Sequence, residues 1–174
     1  MNEIEKTNKM KILEELQKNG RASNSEIADK LGLSRQTVAK IISNMEKEGE
    51  IWGYTAIFDP KLLGKKQYIF LVKLNLSENA GEFLKGVTNR SLIRKHEEEY
   101  GFKTTFFLNG ESDLMILVWA NDIIDAKKLL NSYSNQHNFS AFIKNINLLE
   151  VLSNFRNNGI ENPKIIEEWT NLLI

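Results

Sequence analysis

Between Ser34 and Lys47 the chain gathers side chains that donate and accept hydrogen bonds at short spacing. Arg35 and Lys40 are cationic donors, and Gln36 and Asn44 each carry a donor beside an acceptor. Arg and Lys suit guanine, while Gln and Asn suit adenine, by bidentate geometry. Thr37 and Ser43 are donors of the kind that meet phosphate, Ser34 is a further DNA-binding candidate, and Lys47 is another or else a solvated lysine. At about 100° per residue, Val38, Ile41, Ile42 and Met45 fall within about 100° of arc, away from Gln36, Lys40, Ser43, Asn44 and Lys47. No acid occurs between Asp29 and Glu46. A helix with one face locked onto a core and the other offering donors is what a helix-turn-helix places in the major groove. The plain alternative is an amphipathic helix with an ordinary solvated face.

The elements needed to hold that helix can be read around it. Ser23-Asn24-Ser25-Glu26 fits a capping box. Ile27, Ala28 and Leu31 then make one apolar face, Gly32 can end the helix in the left-handed conformation, and Ser34 can cap the next one. Upstream, Lys9 to Lys18 predicts a first helix with Met10, Leu13 and Leu16 on one stripe and Ile12 beside it, ended by Asn19-Gly20. Downstream, Gly49 stops the recognition helix. Ile51–Phe58 follows, rich in aromatic and β-branched residues, and predicts a strand closed by Asp59-Pro60.

The second half changes period. Tyr68–Leu76, Phe102–Leu108, Leu114–Ala120 and Phe139–Leu152 predict strands. Gly81–Tyr100 predicts a mostly helical stretch, and Ile123–His137 a helix with Ala126, Leu129, Leu130 and Tyr133 on one stripe. Asn109-Gly110 gives a tight hairpin turn. The order is β-α-β-β-α-β, a ferredoxin-like unit, so the fold class is α+β. The expected divisions are a helix-turn-helix domain with a linker strand over 1–58, a connection over 59–66, a ferredoxin-like domain over 67–155 and a helical extension over 156–174. Ile69 to Val72 and Leu114 to Trp119 are apolar on both alternating faces, whereas a wet sheet face alternates with polar residues. The second face therefore predicts a partner, most simply an identical sheet across a two-fold axis. In the extension, Pro163 begins a helix over Lys164–Leu173, made amphipathic by Ile165, Ile166, Trp169, Leu172 and Leu173.

Composition narrows the function classes. The chain has 174 residues, no cysteine and a formal net charge of zero. Disulfides, zinc fingers and thiol catalysis are excluded, and a reducing cytoplasm is expected. The charged start MNEIEKTNKMK is unlike a leader, and no apolar run approaches the length of about 20 residues that spans a bilayer. Residues 1–50 carry as many acids as bases, so nucleic-acid binding must rest on how the charge is distributed. Lys30, Arg35 and Lys40 lie in the acid-free stretch. Few phosphate contacts per subunit follow, so useful affinity needs a dimer or larger assembly. His96 and His137 are isolated, Glu97-Glu98-Glu99 is most simply a solvated helix face, and no metal-ligand spacing or Gly-rich phosphate loop is present. No catalytic residue, metal or cofactor is expected.

LSRQTVAKIISNMEKEGEIWGYTAIFDPKLLG, from Leu33 to Gly64, resembles the Lrp/AsnC regulators. Their usual run is Leu-Ser, Thr-Val, a Leu-Glu-x-x-Gly-x-Ile end, Gly-Tyr-x-Ala, and Asp-Pro followed by Leu-Gly. NGRASNSEIADKLGLS upstream is similar to the same family, and Gly110-Glu111-Ser112-Asp113 resembles its Gly-x-x-Asp turn. The resemblance covers residue 9 to about residue 155. It implies a winged helix-turn-helix transcription regulator that binds double-stranded DNA and dimerises through the linker strand and the sheet. It also implies assembly into tetramers or octamers, and an amino-acid effector near Gly110, Ser112 and Asp113. Ile41 stands where the family often has a basic residue, Ser77–Tyr100 is longer than usual, and the C-terminal tail is additional. Two other readings are a siroheme-decarboxylase-like enzyme of the same plan and an effector-binding oligomer that no longer binds DNA. The polarity of the recognition helix and the intact linker run argue against the enzyme.

Overall fold

In the computed structural model, which describes residues 3–76, 80–88, 102–136 and 139–173, three helices come first: α1 (Glu3–Lys18), α2 (Asn24–Leu31) and α3 (Arg35–Lys47). The chain divides into two compact units, residues 1–57 with 155–164 and residues 58–154 with 165–174.

The capping box forms. Ser23 Oγ accepts from the Glu26 N–H at 3.2 Å, and the Glu26 carboxylate accepts from the Ser23 N–H at 2.7 Å. These bonds fill the first orphan donors of α2, which ends at Gly32 with φ 64°. Ile12, Ile27, Ala28, Val38, Ile42 and Met45 pack as one core, with Leu13, Leu16, Ile41 and Ile51 against it. Two expectations for α1 are corrected. The helix begins at Glu3, and Met10 is 56% exposed whereas Ile12 is fully buried. Ile12, Leu13 and Leu16 share about 100° of arc, and Met10 lies outside it. Ions tie the bundle together: the Glu15 carboxylate accepts from Lys18 at 2.7 Å and from Lys30 at 2.8 Å, and Lys9 pairs with Glu50.

The expected strand at Ile51–Phe58 is not formed within this chain. Its residue types favour a strand, but a strand exists only where a second one bonds to it, and no described residue supplies that ladder.

In the second unit, a 3-10 turn at Pro60–Leu63 is capped by Asp59, whose Oδ1 accepts from the Lys61 N–H at 3.0 Å. Strands β1 (Lys66–Leu74), β2 (Phe102–Phe107), β3 (Leu114–Ala120) and β4 (Ile143–Val151) form an antiparallel sheet in the order β2-β3-β1-β4. Helices α4 (Ala80–Thr88) and α5 (Ile123–Gln136) complete the β-α-β-β-α-β order. Tyr68, Phe70, Val72 and Leu74 alternate into the core beside Leu114, Ile116, Val118 and Ala120, and Phe83, Ala126 and Leu130 cover them. The expected strands thus occur with moved ends. β1 starts two residues earlier than the apolar run, at Lys66, and β4 lies within the stretch expected to hold it, after a 3-10 turn at Phe139–Phe142. His96, Glu97-Glu98-Glu99 and His137 lie outside the described residues.

The Asn109-Gly110 turn is the largest correction. β2 and β3 are joined by a six-residue loop, 108–113, in which neither Asn109 nor Gly110 has positive φ. A two-residue type I′ hairpin requires positive φ at both central residues. That geometry occurs instead at Asn158 (φ 47°) and Gly159 (φ 83°), between β5 (Arg156–Asn157) and β6 (Ile160–Glu161). Asn and Gly adopt it with the least steric cost. The final helix, α6 (Ile165–Leu173), starts two residues after Pro163.

Candidate nucleic-acid interface and the open sheet face

α3 is fixed at both ends and from below. Ser34 Oγ accepts from the Thr37 N–H at 3.0 Å and shares a 2.8 Å hydrogen bond with Thr37 Oγ1. Ser34 thus forms the expected cap, and Thr37, a phosphate candidate from sequence, also helps build the helix start. At the other end, Gly49 takes φ 71°, and Tyr54 Oη donates to Glu46 Oε1 at 3.0 Å. Beneath, Val38, Ile42 and Met45 are buried.

The remaining candidates emerge together. Arg35, Gln36, Lys40, Asn44 and Lys47 are exposed and Ser43 is partly buried. Gln36, Lys40, Ser43, Asn44 and Lys47 share about 100° of arc at the helical period, while Arg35 projects from the first turn outside that arc. Among the described residues, Arg35, Lys40 and Lys47 have no ion-pair partner. Lys30 differs: Glu15 holds it, and the two lysines on Glu15 pull that carboxyl down to about 2. Lys30 therefore contributes less free positive charge than its place in an acid-free stretch implies. Glu15 escaped sequence reasoning because it lies a helix away, and only packing brings it there.

The sheet's second face is mainly apolar, although Gln67 of β1 and Thr104 of β2 also lie on it. By register it carries Ile69 and Leu71 of β1, Met115, Leu117 and Trp119 of β3, Phe106 of β2, and Leu149 and Val151 of β4. Phe106 is 51% and Leu149 48% exposed, while Ile69, Leu71, Met115, Leu117 and Trp119 are partly buried. At one edge, Phe58 packs edge-on against Trp119 with ring centroids 5.5 Å apart, and Lys103 Nζ lies 4.4 Å from the Trp119 ring centre. The other end is polar, with Lys73, Asn145 and Asn147.

Near that polar end the loop that carries Gly110, Ser112 and Asp113 is held by its last residue. The Asp113 N–H donates to the Val72 carbonyl at 2.9 Å. Asp113 Oδ2 accepts from the Leu74 N–H at 2.7 Å and Oδ1 from Lys73 Nζ at 3.0 Å. The β1–β4 register shifts at Lys73/Leu74, so this carboxylate receives an N–H at an irregular point of the ladder. The Leu74 N–H first, and Lys73 second, keep the Asp113 carboxyl below the usual carboxylate value. Gly110 and Glu111 are exposed, and Ser112 is partly buried. Among the described residues no group of three or more His, Cys, Asp or Glu is placed to hold a metal ion.

Residues 6–51 match the winged helix-turn-helix DNA-binding family, which is the class that α1–α3 and the polar face of α3 define. The chain is 31% identical over 119 residues to the leucine-responsive regulatory protein of Klebsiella pneumoniae, covering 68% of this chain and 69% of that protein. The Escherichia coli K12 protein of the same name is 30% identical over the same shares. An HTH-type transcriptional regulator of Pyrococcus furiosus is 28% identical, with 86% of this chain and 92% of that one covered. The fold is shared with an AsnC family regulator of Agrobacterium tumefaciens, with TM-score 0.65 and 20% identity over 95% of this chain and 99% of that one. It is also shared with a transcriptional regulator of Neisseria meningitidis solved in complex with L-methionine, with TM-score 0.64 and 20% identity over 90% and 93%. The chain belongs to the Lrp/AsnC family of DNA-binding transcriptional regulators.

Proposed function

We propose that two copies of this chain pair through their open sheet faces and present two α3 helices to one operator. Gln36, Lys40 and Asn44 read base edges along the shared arc, with Arg35 reading from the first turn. Ser34, Thr37, Ser43 and Lys47 meet phosphate. The observation that carries this reading is the exposed, unpaired polar face of α3 over a buried underside. The apolar second sheet face supports the pairing, because a contiguous apolar surface of this kind marks a protein interface. Residues 51–58 support it too, since Ile51–Phe58 has strand-forming composition and no ladder partner among the described residues. A cytoplasmic location accords with this role, and no described helix is long and apolar enough to cross a membrane.

An amino acid or a related small molecule acts as effector at the 108–113 loop. The methionine complex of the Neisseria regulator supports that ligand class. Gly110 and Ser112 contact the ligand, and Asp113, with both oxygens engaged by its own chain, sets the loop's position.

Selection of bound sequences from random DNA at two salt concentrations tests the DNA reading. The expected result is an inverted repeat with half-sites about one helical turn apart, or a multiple of it, bound more weakly at the higher salt. Recovery of no common sequence would overturn it. Thermal-shift measurement against the twenty amino acids tests the effector, and no shift with any of them would remove it.

A further inference from the structure

Trp119 lies near the end of β3, on the second face of the sheet. It stands five residues beyond Leu114, and so about 17 Å from the strand end that the 108–113 loop enters. Its indole Nε1 is shut off from solvent and, among the described residues, is the one buried side-chain nitrogen or oxygen with no hydrogen-bond partner. A buried N–H without an acceptor has lost its hydration and gained nothing in exchange. Phe58, edge-on to the same ring, brings carbon and no oxygen. Lys103 lies over the ring with Nζ 4.4 Å from its centre, and has no acidic partner among the described residues. The fold builds this placement. The β2–β3 register shifts between Phe102 and Thr104, so Lys103 is the extra residue of a bulge, a device that re-aims a side chain. Phe58, Lys103 and Trp119 all belong to the sheet unit.

We propose that this corner binds a carboxylate, which accepts from Trp119 Nε1 with one oxygen and from Lys103 Nζ with the other. Two donors that lack acceptors, one neutral and one cationic, meet at a single ring. A carboxylate carries two acceptor oxygens on one rigid group, and bonds to it from a cation are the stronger kind. Lys103 is exposed and long, so it is the side chain at the corner that can swing aside and admit the ligand to the closed N–H. The two ends of the face differ in sign. At the 108–113 loop the protein itself supplies the carboxylate, Asp113, already engaged by Lys73 and the Leu74 N–H. At the Trp119 corner it supplies donors only. The carboxylate belongs either to a free molecule or to an acidic side chain of a second copy, and only the second source rests on the pairing of sheet faces.

The test uses the full-length chain labelled with nitrogen-15. Its three tryptophans give separate indole N–H resonances, and that of Trp119 is assigned by its loss in Trp119→Phe. Succinate is titrated into the parent, into Lys103→Met and into Leu71→Arg. The expected result is a saturable downfield shift of the Trp119 indole proton, with half-saturation at about tenfold higher succinate in Lys103→Met. The same shift in Leu71→Arg assigns the site to a free carboxylate. A proton that is already downfield in the parent, and moves upfield on dilution, in Leu71→Arg and in Lys103→Met, assigns it to an acidic side chain of a second copy. A Trp119 resonance that answers neither succinate nor dilution overturns the proposal, as does an equal response in the parent and Lys103→Met. Light scattering on Leu71→Arg reports separately on the pairing of sheet faces, so failure of that reading leaves the succinate result standing.

Discussion

The outward face of α3 and the second face of the sheet are each backed by a close-packed core, yet they offer opposite chemistry to solvent. On α3, Val38, Ile42 and Met45 are buried and every outward position but the small Ser43 is an exposed polar or charged residue. On the sheet, Phe70 and Val72 are buried, and the alternate positions Ile69 and Leu71 are apolar as well. The first surface keeps its hydration until a polar, charged partner replaces it. The second gains by losing water to any apolar surface of matching shape. One suits a polyanion read by hydrogen bonds; the other suits another protein face. On the proposed reading, one surface serves DNA reading and the other assembly, and each can be damaged without the other.

The sharpest way to break that separation is Leu71→Arg, at the centre of the apolar face. It puts a charge where the two sheets would close, and an uncompensated buried charge costs about 3–5 kcal/mol. The expected outcome is a monomer by light scattering, with the circular dichroism of the parent retained. A dimer of parent stability would mean that the sheet face is not the interface. Next in size is Ile27→Ala, which empties a fully buried position of the three-helix core. A loss of about 2–5 kcal/mol is expected in that unit. Hydrogen exchange should speed in α1–α3 while β1–β4 stay protected, and global loss of protection would show that the units are not separable.

Lys40→Ala probes the reading face and should cost about 1–3 kcal/mol on the selected operator if Lys40 reads a base. Its dimerisation should be unchanged in the same sample. Equal affinity for operator and for unrelated DNA in the parent and the variant would strike Lys40 from the reading set.

The smallest expected effect concerns Asp113, which holds its loop to β1. The folded protein keeps this carboxyl below its ordinary value, through the Leu74 N–H and then Lys73. Its contribution is therefore present above the ordinary carboxylate value of 3.8 and is lost as pH falls through the lower folded value. In urea titrations, Asp113→Asn should be less stable than the parent near neutral pH, and the gap should narrow below about pH 4. A gap independent of pH would mean that the charge is not what Asp113 contributes.

Much of the fold could be read because it is local. The Ser23–Glu26 capping box, the Gly32 terminus and the Ser34 cap each depend on residues within one turn, and all three form as their types dictate. The apolar runs at β1 and β3 marked the strands and the element order gave the topology, while the fold decided which positions turn toward α4 and α5. The misreadings share a different cause. Met10 and Ile12 are both apolar, and only Ile12 shares the arc of Leu13 and Leu16 that packs into the core. Asn-Gly occurs twice, and the strand register made the I′ turn at Asn158-Gly159, leaving Asn109-Gly110 in a longer loop. Lys30 lies in an acid-free stretch of sequence, and the fold placed Glu15 against it. The function of Asp113 in its loop depends on Leu74, brought there only by the β1–β3 pairing.

The amino-acid order alone determined most of the helices, their caps, the strands of the sheet and the family, because these follow from residue pattern and from bonds that span a few residues. The tertiary structure decided which cations stay free, which turn is tight, where the tail returns and which carboxylate is engaged. Those outcomes depend on groups far apart in the chain, and their energies exist only once the chain has folded back on itself.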